Sequence, residues 1–391
     1  MSLHQTHPAL SDLRDAARRR LPKFVWEYLD SATGTEATKH RNRAALDRIG
    51  LMPSILHGPF TPDLTAPLLG HDFPLPVGIA PVGMSGLIWE RAEIHLARAA
   101  ARAGIPYSLS TVATRSPEDV APHLGDHGWF QLYPPKDEGI RLDMLARARD
   151  AGFTGLVLTV DVPVASRRER QTRSGLTSPP KLTPRLLAQV LGKPAWAWAM
   201  RNERDVHMRT LDKYSDLQAS LPPTEHIGYL LRTSPDWDYL RWLRDHWKGH
   251  LIVKGVLRAE DAAPLEAAGV DAIWISNHAG RQFDAAPATI DVLPAIRAAT
   301  GLPILFDSGI ESGLDILRAM ALGADFVMLG RGFHYALAAL GPEGPAHLID
   351  ILAKDLAANM GQLGATTLRA LPPAFSLDAA SEIGSFCTAE R

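Results

Sequence analysis

Short apolar runs alternate with alanine-rich helical segments along most of the chain, from residue 76 onward. The runs are rich in β-branched and aromatic residues, as strands are, and comprise PVGIA (76–80), YSLS (107–110), WFQLY (129–133), GLVLTVD (155–161), HLIVKG (250–255), AIWISN (272–277), PILFDS (303–308) and FVMLG (326–330). Near-continuous apolar strands with helices between them favour a parallel sheet that is buried on both faces. Eight such units predict an α/β fold of the (β/α)8 or TIM-barrel kind rather than an open sheet.

Two stretches lie outside this rhythm. The first 45 or so residues show helical patterns in ALSDLRDAARRRL and PKFVWEYLDSA. The interval between the fourth and fifth runs is much longer than a βα unit, which predicts an excursion over the active-site face at about 170–235. We therefore expect a single domain over 1–391, with an N-terminal helical segment (1–75), the barrel (76–370) and the excursion (170–235).

Composition narrows the class of protein. The formal net charge is −2, so no global nucleic-acid footprint is present. A single cysteine, Cys387, excludes an intrachain disulfide and fits a reducing compartment. The N-terminal sequence lacks the apolar core of a signal peptide, and no apolar run is long enough to span a bilayer. These features predict a cytoplasmic protein that is able to lie on a membrane surface.

Polar residues follow nearly every predicted strand, and in a barrel these carboxyl ends form the active site. They include Gln131, Tyr133, Thr159, Asp161, Arg167, Arg168, Lys254, His278, Arg281, Asp307 and Arg331. The glycine-rich DSGIESG and LGRG follow the last two strands, where this fold usually binds phosphate. His278 beside Arg281 suits a base next to a carboxylate clamp, because arginine binds carboxylates with two parallel hydrogen bonds. A phosphate-sugar isomerase would share the glycine loops but has no need of this set of charged side chains.

These motifs resemble the FMN-dependent 2-hydroxy-acid dehydrogenase and oxidase family, of the glycolate oxidase, L-mandelate dehydrogenase and flavin L-lactate dehydrogenase type. The resemblance extends over nearly the whole chain, and its most specific parts are SNHAGRQFD (276–284), DSGI and LGRGF. The excursion, with its prolines and tryptophans, is most similar to the lactate and mandelate dehydrogenases. The resemblance implies FMN as cofactor, an L-2-hydroxy acid as substrate, a quinone or other carrier as electron acceptor, and a homotetramer.

The resemblance also implies roles for individual residues. His278 would be the base, oriented by Asp161, with the substrate carboxylate held by Arg281 and Arg168 and a hydrogen bond from Tyr133. Lys254 would stabilise the reduced flavin ring. The remaining flavin and phosphate contacts would come from Ala80, Pro81, Val82, Gly83, Ser110, Gln131, Thr159, Ser276, Asp307, Ser308, Gly309, Gly330 and Arg331. No metal ligand set is expected.

Four positions qualify this picture. Trp26 is aligned with a substrate-binding tyrosine, and Tyr28 is not expected to substitute because residues two apart do not share a helix face. Glu311 stands where an arginine usually helps to hold the phosphate. Ala279 replaces the first glycine of the usual NHGGR. Gly83, at a position that is often alanine, leaves room beside flavin N5 and is compatible with a mandelate-type dehydrogenase.

Several functional alternatives remain open at the level of sequence. L-Lactate is the first candidate substrate, followed by larger aliphatic or aromatic hydroxy acids. An oxidase that passes electrons to oxygen is the second hypothesis, and a flavin-binding barrel with an altered substrate is the third, prompted by Trp26 and Glu311. Residues 181–201 combine Trp196 and Trp198 with basic side chains, which predicts either peripheral membrane contact or an ordinary lid or subunit contact.

Overall fold

A computed structural model describes residues 2–176, 183–203, 206–218 and 234–378 of the 391-residue chain. Cys387 and the first two residues of the 181–201 segment lie outside the described residues. The fold is a closed barrel of eight parallel strands, which confirms the predicted TIM-barrel architecture. Within the described ranges, no helix is long and apolar enough to cross a membrane.

The strands are numbered in chain order. Three short strands precede the barrel, namely β1 (Ile49–Leu51), β2 (Ala66–Leu68) and β3 (His71–Phe73). The barrel strands are β4 (Val77–Ile79), β5 (Tyr107–Ser110), β6 (Gly128–Leu132), β7 (Gly155–Thr159), β8 (His250–Val256), β9 (Ala272–Ile275), β10 (Ile304–Phe306) and β11 (Phe326–Leu329). A last strand, β12 (Ala374–Ser376), pairs antiparallel with β1. Each barrel strand pairs with its sequence neighbours, and β11 closes the ring on β4.

Helices surround the barrel, as apolar strands buried on both faces require. Those that follow barrel strands are Ala92–Ala103, Pro117–Val120, Glu138–Asp150, Trp237–His246, Ala262–Ala267, Thr289–Ala299, Gly313–Ala321, Arg331–Leu340 and Gly344–Leu363. Single 3-10 turns occur at Ser85–Leu87, Ala121–His123, Ala259–Asp261, His278–Gly280, Gly341–Glu343 and Leu368–Ala370. The predicted strands ran too long at several carboxyl ends, since β7 stops at Thr159 and β9 at Ile275. Asp161 and His278 therefore lie on the loops beyond their strands.

The N-terminal segment begins with the helices Leu3–Thr6, Leu10–Arg20, Lys23–Asp30 and Ala37–Asp47. Leu10, Leu13 and Ala17 form the apolar face of the second helix and are buried in the same core as the barrel. The segment is not wholly helical, because β1 to β3 follow these helices. The helices Lys23–Asp30 and Ala37–Asp47 bring polar side chains to the carboxyl ends of the barrel strands.

The described parts of the excursion contain the helices Glu169–Ser174, Pro184–Leu191 and Pro194–Ala199 and a 3-10 segment Arg209–Gln218. Trp196 is 7% exposed and donates from Nε1 to the carbonyl of Leu87 at 3.2 Å. Trp198, by contrast, is 70% exposed. The two tryptophans therefore differ, since Trp196 ties the excursion to the barrel while Trp198 faces solvent.

Candidate active site

A cavity of about 750 Å³ opens at the carboxyl ends of the barrel strands. Its wall combines loops that follow the strands with side chains from the N-terminal helices, which is the place where barrels of this kind carry their chemistry. The predicted site residues that line it are Ala80, Pro81, Val82, Gly83, Tyr133, Arg168, Lys254, His278, Arg281, Asp307, Ser308, Gly309, Gly330 and Arg331.

His278 and Asp161 form a hydrogen-bonded pair beside this cavity. Nδ1 of His278 lies 3.1 and 3.2 Å from the two carboxylate oxygens of Asp161. Burial lowers the pKa of His278 despite the nearby Asp161 carboxylate, so the ring is neutral near pH 7. Burial opposes the charged form of Asp161, but His278 and Lys254 hold the pKa of Asp161 below its usual value. A neutral ring that donates from Nδ1 keeps its lone pair on Nε2, as a base requires.

Two arginines, Arg281 and Arg168, lie close together at this wall, and main-chain carbonyls anchor Arg281. Nη1 of Arg281 donates to the main-chain carbonyls of Tyr28 and Ser31 at 2.9 and 2.8 Å. Burial, and next the charge of Arg168, lower the pKa of Arg281, which means that the two cations repel each other. The Arg167 side chain is 86% exposed and lies 3.7 Å from Glu169. Arg281 and Arg168 therefore form a pair of cations suited to an anionic ligand.

The phenol of Tyr28 lines this cavity, whereas Trp26, which was predicted to bind the substrate, does not line it. Trp26 stacks on Tyr335 with ring centroids 5.6 Å apart and does not contribute to the cavity wall. Tyr28 does, and its hydroxyl donates to the carbonyl of Gly83 at 2.8 Å. Trp26 and Tyr28 do not share a helix face, and the helix Lys23–Asp30 turns Tyr28 toward the barrel mouth.

Tyr133 lines the same wall from the end of β6. Its main-chain N–H donates to Thr111 at 3.1 Å, which holds the turn after the strand. Burial, followed by the charge of Asp161, raises the pKa of the Tyr133 phenol. The hydroxyl therefore stays protonated and available as a donor.

Lys254 is a buried cation at the carboxyl end of β8, with a side chain that is 6% exposed. Its ammonium lies 2.7 Å from the Ser276 hydroxyl and 3.2 Å from Asp307. The next residue, Gly255, has a positive φ of 109° and leaves room for Asp161, because a Cβ on residue 255 would lie 2.7 Å from Cβ of Asp161. Lys254 thus places one positive charge at the floor of the cavity next to the His278 loop.

Four predicted cofactor contacts lie behind the cavity wall. Ser110, Gln131 and Thr159 form a hydrogen-bonded row across β5, β6 and β7, with distances of 3.0 and 2.9 Å. Ser276 accepts from Lys254 and from the main-chain N–H of His278. None of the four lines the cavity, so their contact with a cofactor stays a prediction.

Backbone strain collects at the site. Arg168, His278, Ala279 and Ser308 all have positive φ, between 43° and 80°. Side chains other than glycine rarely adopt this region, and such strain is concentrated at functional sites. The φ of 53° at Ala279 is one that glycine would adopt without the cost that the Cβ of alanine adds.

The comparison with protein-family models decides the family. The model described as FMN-dependent dehydrogenase matches residues 17–377. The chain belongs to this family. L-Lactate dehydrogenase of Pectobacterium atrosepticum is 42% identical over 366 residues, which is 92% of this chain and 94% of the relative.

Members of the family with solved structures share the fold throughout. The monotopic membrane protein (S)-mandelate dehydrogenase has a TM-score of 0.88 at 36% identity, covering 93% of this chain and 97% of its own. A mandelate oxidase variant with 2-hydroxy-phenylacetamide has a TM-score of 0.77 at 34% identity, covering 93% and 96% of the two chains. Both dehydrogenases and oxidases are thus among the structural neighbours.

The cavity has the features that FMN, the cofactor of this family, requires. Gly309, with φ of 109°, and Gly330 leave the backbone accessible at one end of the cavity, where a phosphate would bind. A Cβ on Gly309 would lie 3.0 Å from Leu46. The buried ammonium of Lys254 supplies the positive charge that a reduced, anionic flavin needs. The donor set, the glycines and the volume are therefore compatible with FMN.

Proposed function

We propose that the protein oxidises an L-2-hydroxy acid to the corresponding 2-oxo acid, with His278 as the base. The observation that carries this proposal is the convergence of the His278–Asp161 pair, the two arginines and Lys254 on one cavity. An isolated histidine or arginine would not support it, but a base, an anion clamp and a buried cation at one mouth match this chemistry.

The substrate carboxylate would lie against Arg281 and Arg168, neither of which forms an ion pair with a carboxylate among the residues that the structure describes. Main-chain carbonyls hold Nη1 of Arg281, so the rest of the guanidinium is presented in a defined orientation. Tyr133 would donate a hydrogen bond to the same substrate end, and Tyr28 would do so once its hydroxyl turns from the Gly83 carbonyl to the substrate. This arrangement orients the substrate with its C2 hydroxyl toward His278.

His278 would accept a proton from the substrate at Nε2. Asp161 holds the ring by its Nδ1–H and stabilises the imidazolium that forms, because a carboxylate next to a new positive charge lowers its free energy. FMN, when bound, would supply the oxidant for the two electrons and the second hydrogen that leave the substrate. Lys254 would balance the negative charge that develops beside it.

The experiment that tests this function is anaerobic reduction of the purified yellow protein. L-Lactate and then L-mandelate are added while the visible flavin absorption is followed. Bleaching by either acid supports the proposal and ranks the two substrates, whereas a flavin that neither bleaches contradicts it. Readmitting air and measuring hydrogen peroxide then separates an oxidase from a dehydrogenase that uses a quinone or other carrier.

We further propose that the excursion contacts a membrane surface on the cytoplasmic side. Leu187, Leu191 and Trp198 are 51%, 72% and 70% exposed on two neighbouring short helices. Arg201 stacks over the Trp198 ring at 4.4 Å. Apolar side chains next to basic ones suit an interfacial site on anionic lipid. This proposal rests on the described part of the predicted patch, 183–201, where Trp198 is exposed and Trp196 is buried. The homotetramer also stays a prediction.

A further inference from the structure

Two cationic side chains from distant parts of the chain meet at one main-chain oxygen. The carbonyl of Asp30, at the end of the helix Lys23–Asp30, accepts from Nζ of Lys39 at 2.7 Å and from Nη1 of Arg331 at 3.3 Å. The two nitrogens can be no farther apart than the sum of these distances. Both side chains line the cavity, and that of Lys39 is 13% exposed.

The helix Ala37–Asp47 carries Lys39 to the end of the cavity where the glycine loops lie. Arg43, one turn after Lys39, donates to the carbonyl of Gly309 at 3.0 Å. The same helix is so close to Gly309 that a Cβ there would lie 3.3 Å from Cβ of Asn42. Arg331 reaches the same place from the other side, as the first residue of the helix after β11. Lys39 and Arg331 therefore flank the phosphate end of the cavity.

Lys39 shares both of its carboxylate partners, Asp30 and Glu36, with Arg170, which also pairs with Glu27. The Asp30 carboxylate lies 3.0 Å from Lys39, 3.0 Å from Arg14 and 2.7 Å from Arg170, so three cations share one acid. Glu36 is 3.8 Å from Lys39 but also pairs with Arg170 at 2.8 Å. Burial, and next the charge of Arg331, lower the pKa of Lys39, and an anion between the two cations would remove that repulsion.

Glu311 adds a negative charge at this end of the cavity. It lines the same end of the cavity and its charge acts on Arg14. A carboxylate next to a phosphate dianion is unfavourable unless positive charge lies between or beside them. We propose that Lys39, on the helix Ala37–Asp47, binds the phosphate of FMN together with Arg331 and offsets the negative charge of Glu311.

This assignment gives the N-terminal segment a part in cofactor binding. The phosphate would be held between a lysine from one helix and an arginine from the end of the barrel, with the glycine loops beneath it. Lysine suits this position because its ammonium acts as a compact charge and need not match the phosphate plane. The inference rests on FMN as the cofactor of the proposed function but not on the hydroxy acid.

The test compares FMN with riboflavin, which has the same ring system and no phosphate. The apoprotein of each variant is titrated with both flavins and the two dissociation constants are measured by quenching of flavin fluorescence. For Lys39→Met we expect FMN affinity to fall by about 10- to 100-fold, as for loss of a hydrogen bond to a charged group. Riboflavin affinity is expected to stay within about twofold, because its contacts do not involve the charge.

Two further variants keep the result interpretable. Lys39→Arg retains the charge and should preserve most of the preference for FMN, while Lys248→Met, at an exposed position outside the cavity, should leave both affinities unchanged. Equal losses for FMN and riboflavin in Lys39→Met would show a structural role for Lys39 and overturn the proposal. Unchanged FMN affinity would overturn it as well.

The same measurement is independent of the proposed reaction. No hydroxy acid is present during the titrations, so a protein that fails to bleach with L-lactate or L-mandelate can still show the predicted difference between the flavins. Conversely, the protein could oxidise a hydroxy acid and bind FMN equally well with and without the Lys39 charge. That result would support the proposed function and contradict the role of Lys39.

Discussion

Nη1 of Arg281 donates to the main-chain carbonyl of Tyr28 at 2.9 Å, and the guanidinium carbon lies 5.6 Å from the centre of the Tyr28 ring. Most of the barrel sequence lies between these two residues, yet the carbonyl of Tyr28 anchors Arg281 at the mouth of the cavity. The helix Lys23–Asp30 thus supplies both a phenol and the carbonyls that orient the arginine, so the N-terminal segment is part of the candidate active site.

Tyr28→Phe should impair substrate turnover without unfolding the protein. The hydroxyl that donates to Gly83 is lost, and we expect kcat/KM to fall by about tenfold, as for one hydrogen bond. Trp26→Phe should do the reverse, lowering the free energy of unfolding by about 1–2 kcal/mol through its stacking on Tyr335 while leaving KM unchanged. Steady-state kinetics and urea unfolding of both variants check this. A KM that rises in Trp26→Phe but not in Tyr28→Phe would instead place Trp26 in the substrate-binding site.

Arg281→Lys should weaken substrate binding. A lysine ammonium cannot both satisfy the carbonyls of Tyr28 and Ser31 and grip a carboxylate with two hydrogen bonds. We expect KM for the hydroxy acid to rise by about 10- to 100-fold. Arg167→Lys is the matched control, since the Arg167 side chain is 86% exposed, and should leave KM unchanged. An unaltered KM in Arg281→Lys would argue against the carboxylate clamp.

His278→Gln should abolish most of the substrate-driven flavin reduction while FMN remains bound. The amide cannot accept the proton that the imidazole takes, and removal of a general base typically slows a reaction by about 10²- to 10⁴-fold. Stopped-flow reduction under anaerobic conditions measures the rate, and the flavin spectrum before mixing reports cofactor content. Normal reduction by a fully loaded variant would be incompatible with the proposed mechanism.

The pH dependence of kcat/KM should show the protonation of His278. Burial lowers the pKa of His278 below the usual value of about 6.5. The ring is therefore neutral, and able to accept a proton, until the pH falls to that lowered pKa. Activity should therefore be level near neutrality and fall about tenfold per pH unit on the acid side. An acid limb that begins above pH 7, or that persists in His278→Gln, would assign the titration to another group.

Removing exposed apolar side chains from the excursion should weaken membrane contact. Leu191→Ser combined with Trp198→Ser is expected to reduce sedimentation with anionic phospholipid vesicles by about tenfold or more, since both side chains are largely exposed. Ile55→Ser is the control, because Ile55 is 81% exposed on another part of the surface. Equal binding by all three proteins, or no binding by the unaltered protein, would contradict the proposal.

Periodicity was sufficient to predict the architecture. Buried parallel strands must be apolar along their whole length, so eight such runs with helices between them leave few folds other than a closed barrel. The barrel confirms that prediction, and the family match confirms the resemblance read from SNHAGRQFD and the glycine loops. The residues of those motifs reach one cavity because every barrel strand ends at the same mouth.

Tertiary structure alone decided which residues of the N-terminal helices enter the site. The family resemblance aligned Trp26 with a substrate-binding tyrosine, but the structure places Tyr28 at the cavity. A helical pattern shows which residues share a face but not which face the barrel covers. Lys39 carried no sequence signal at all, because its partners Asp30 and Arg331 come together only when that helix docks against the end of β11. The sequence determined the barrel, its mouth and the chemistry on its loops; the docking of the N-terminal helices, which depends on contacts distant in sequence, decided the rest.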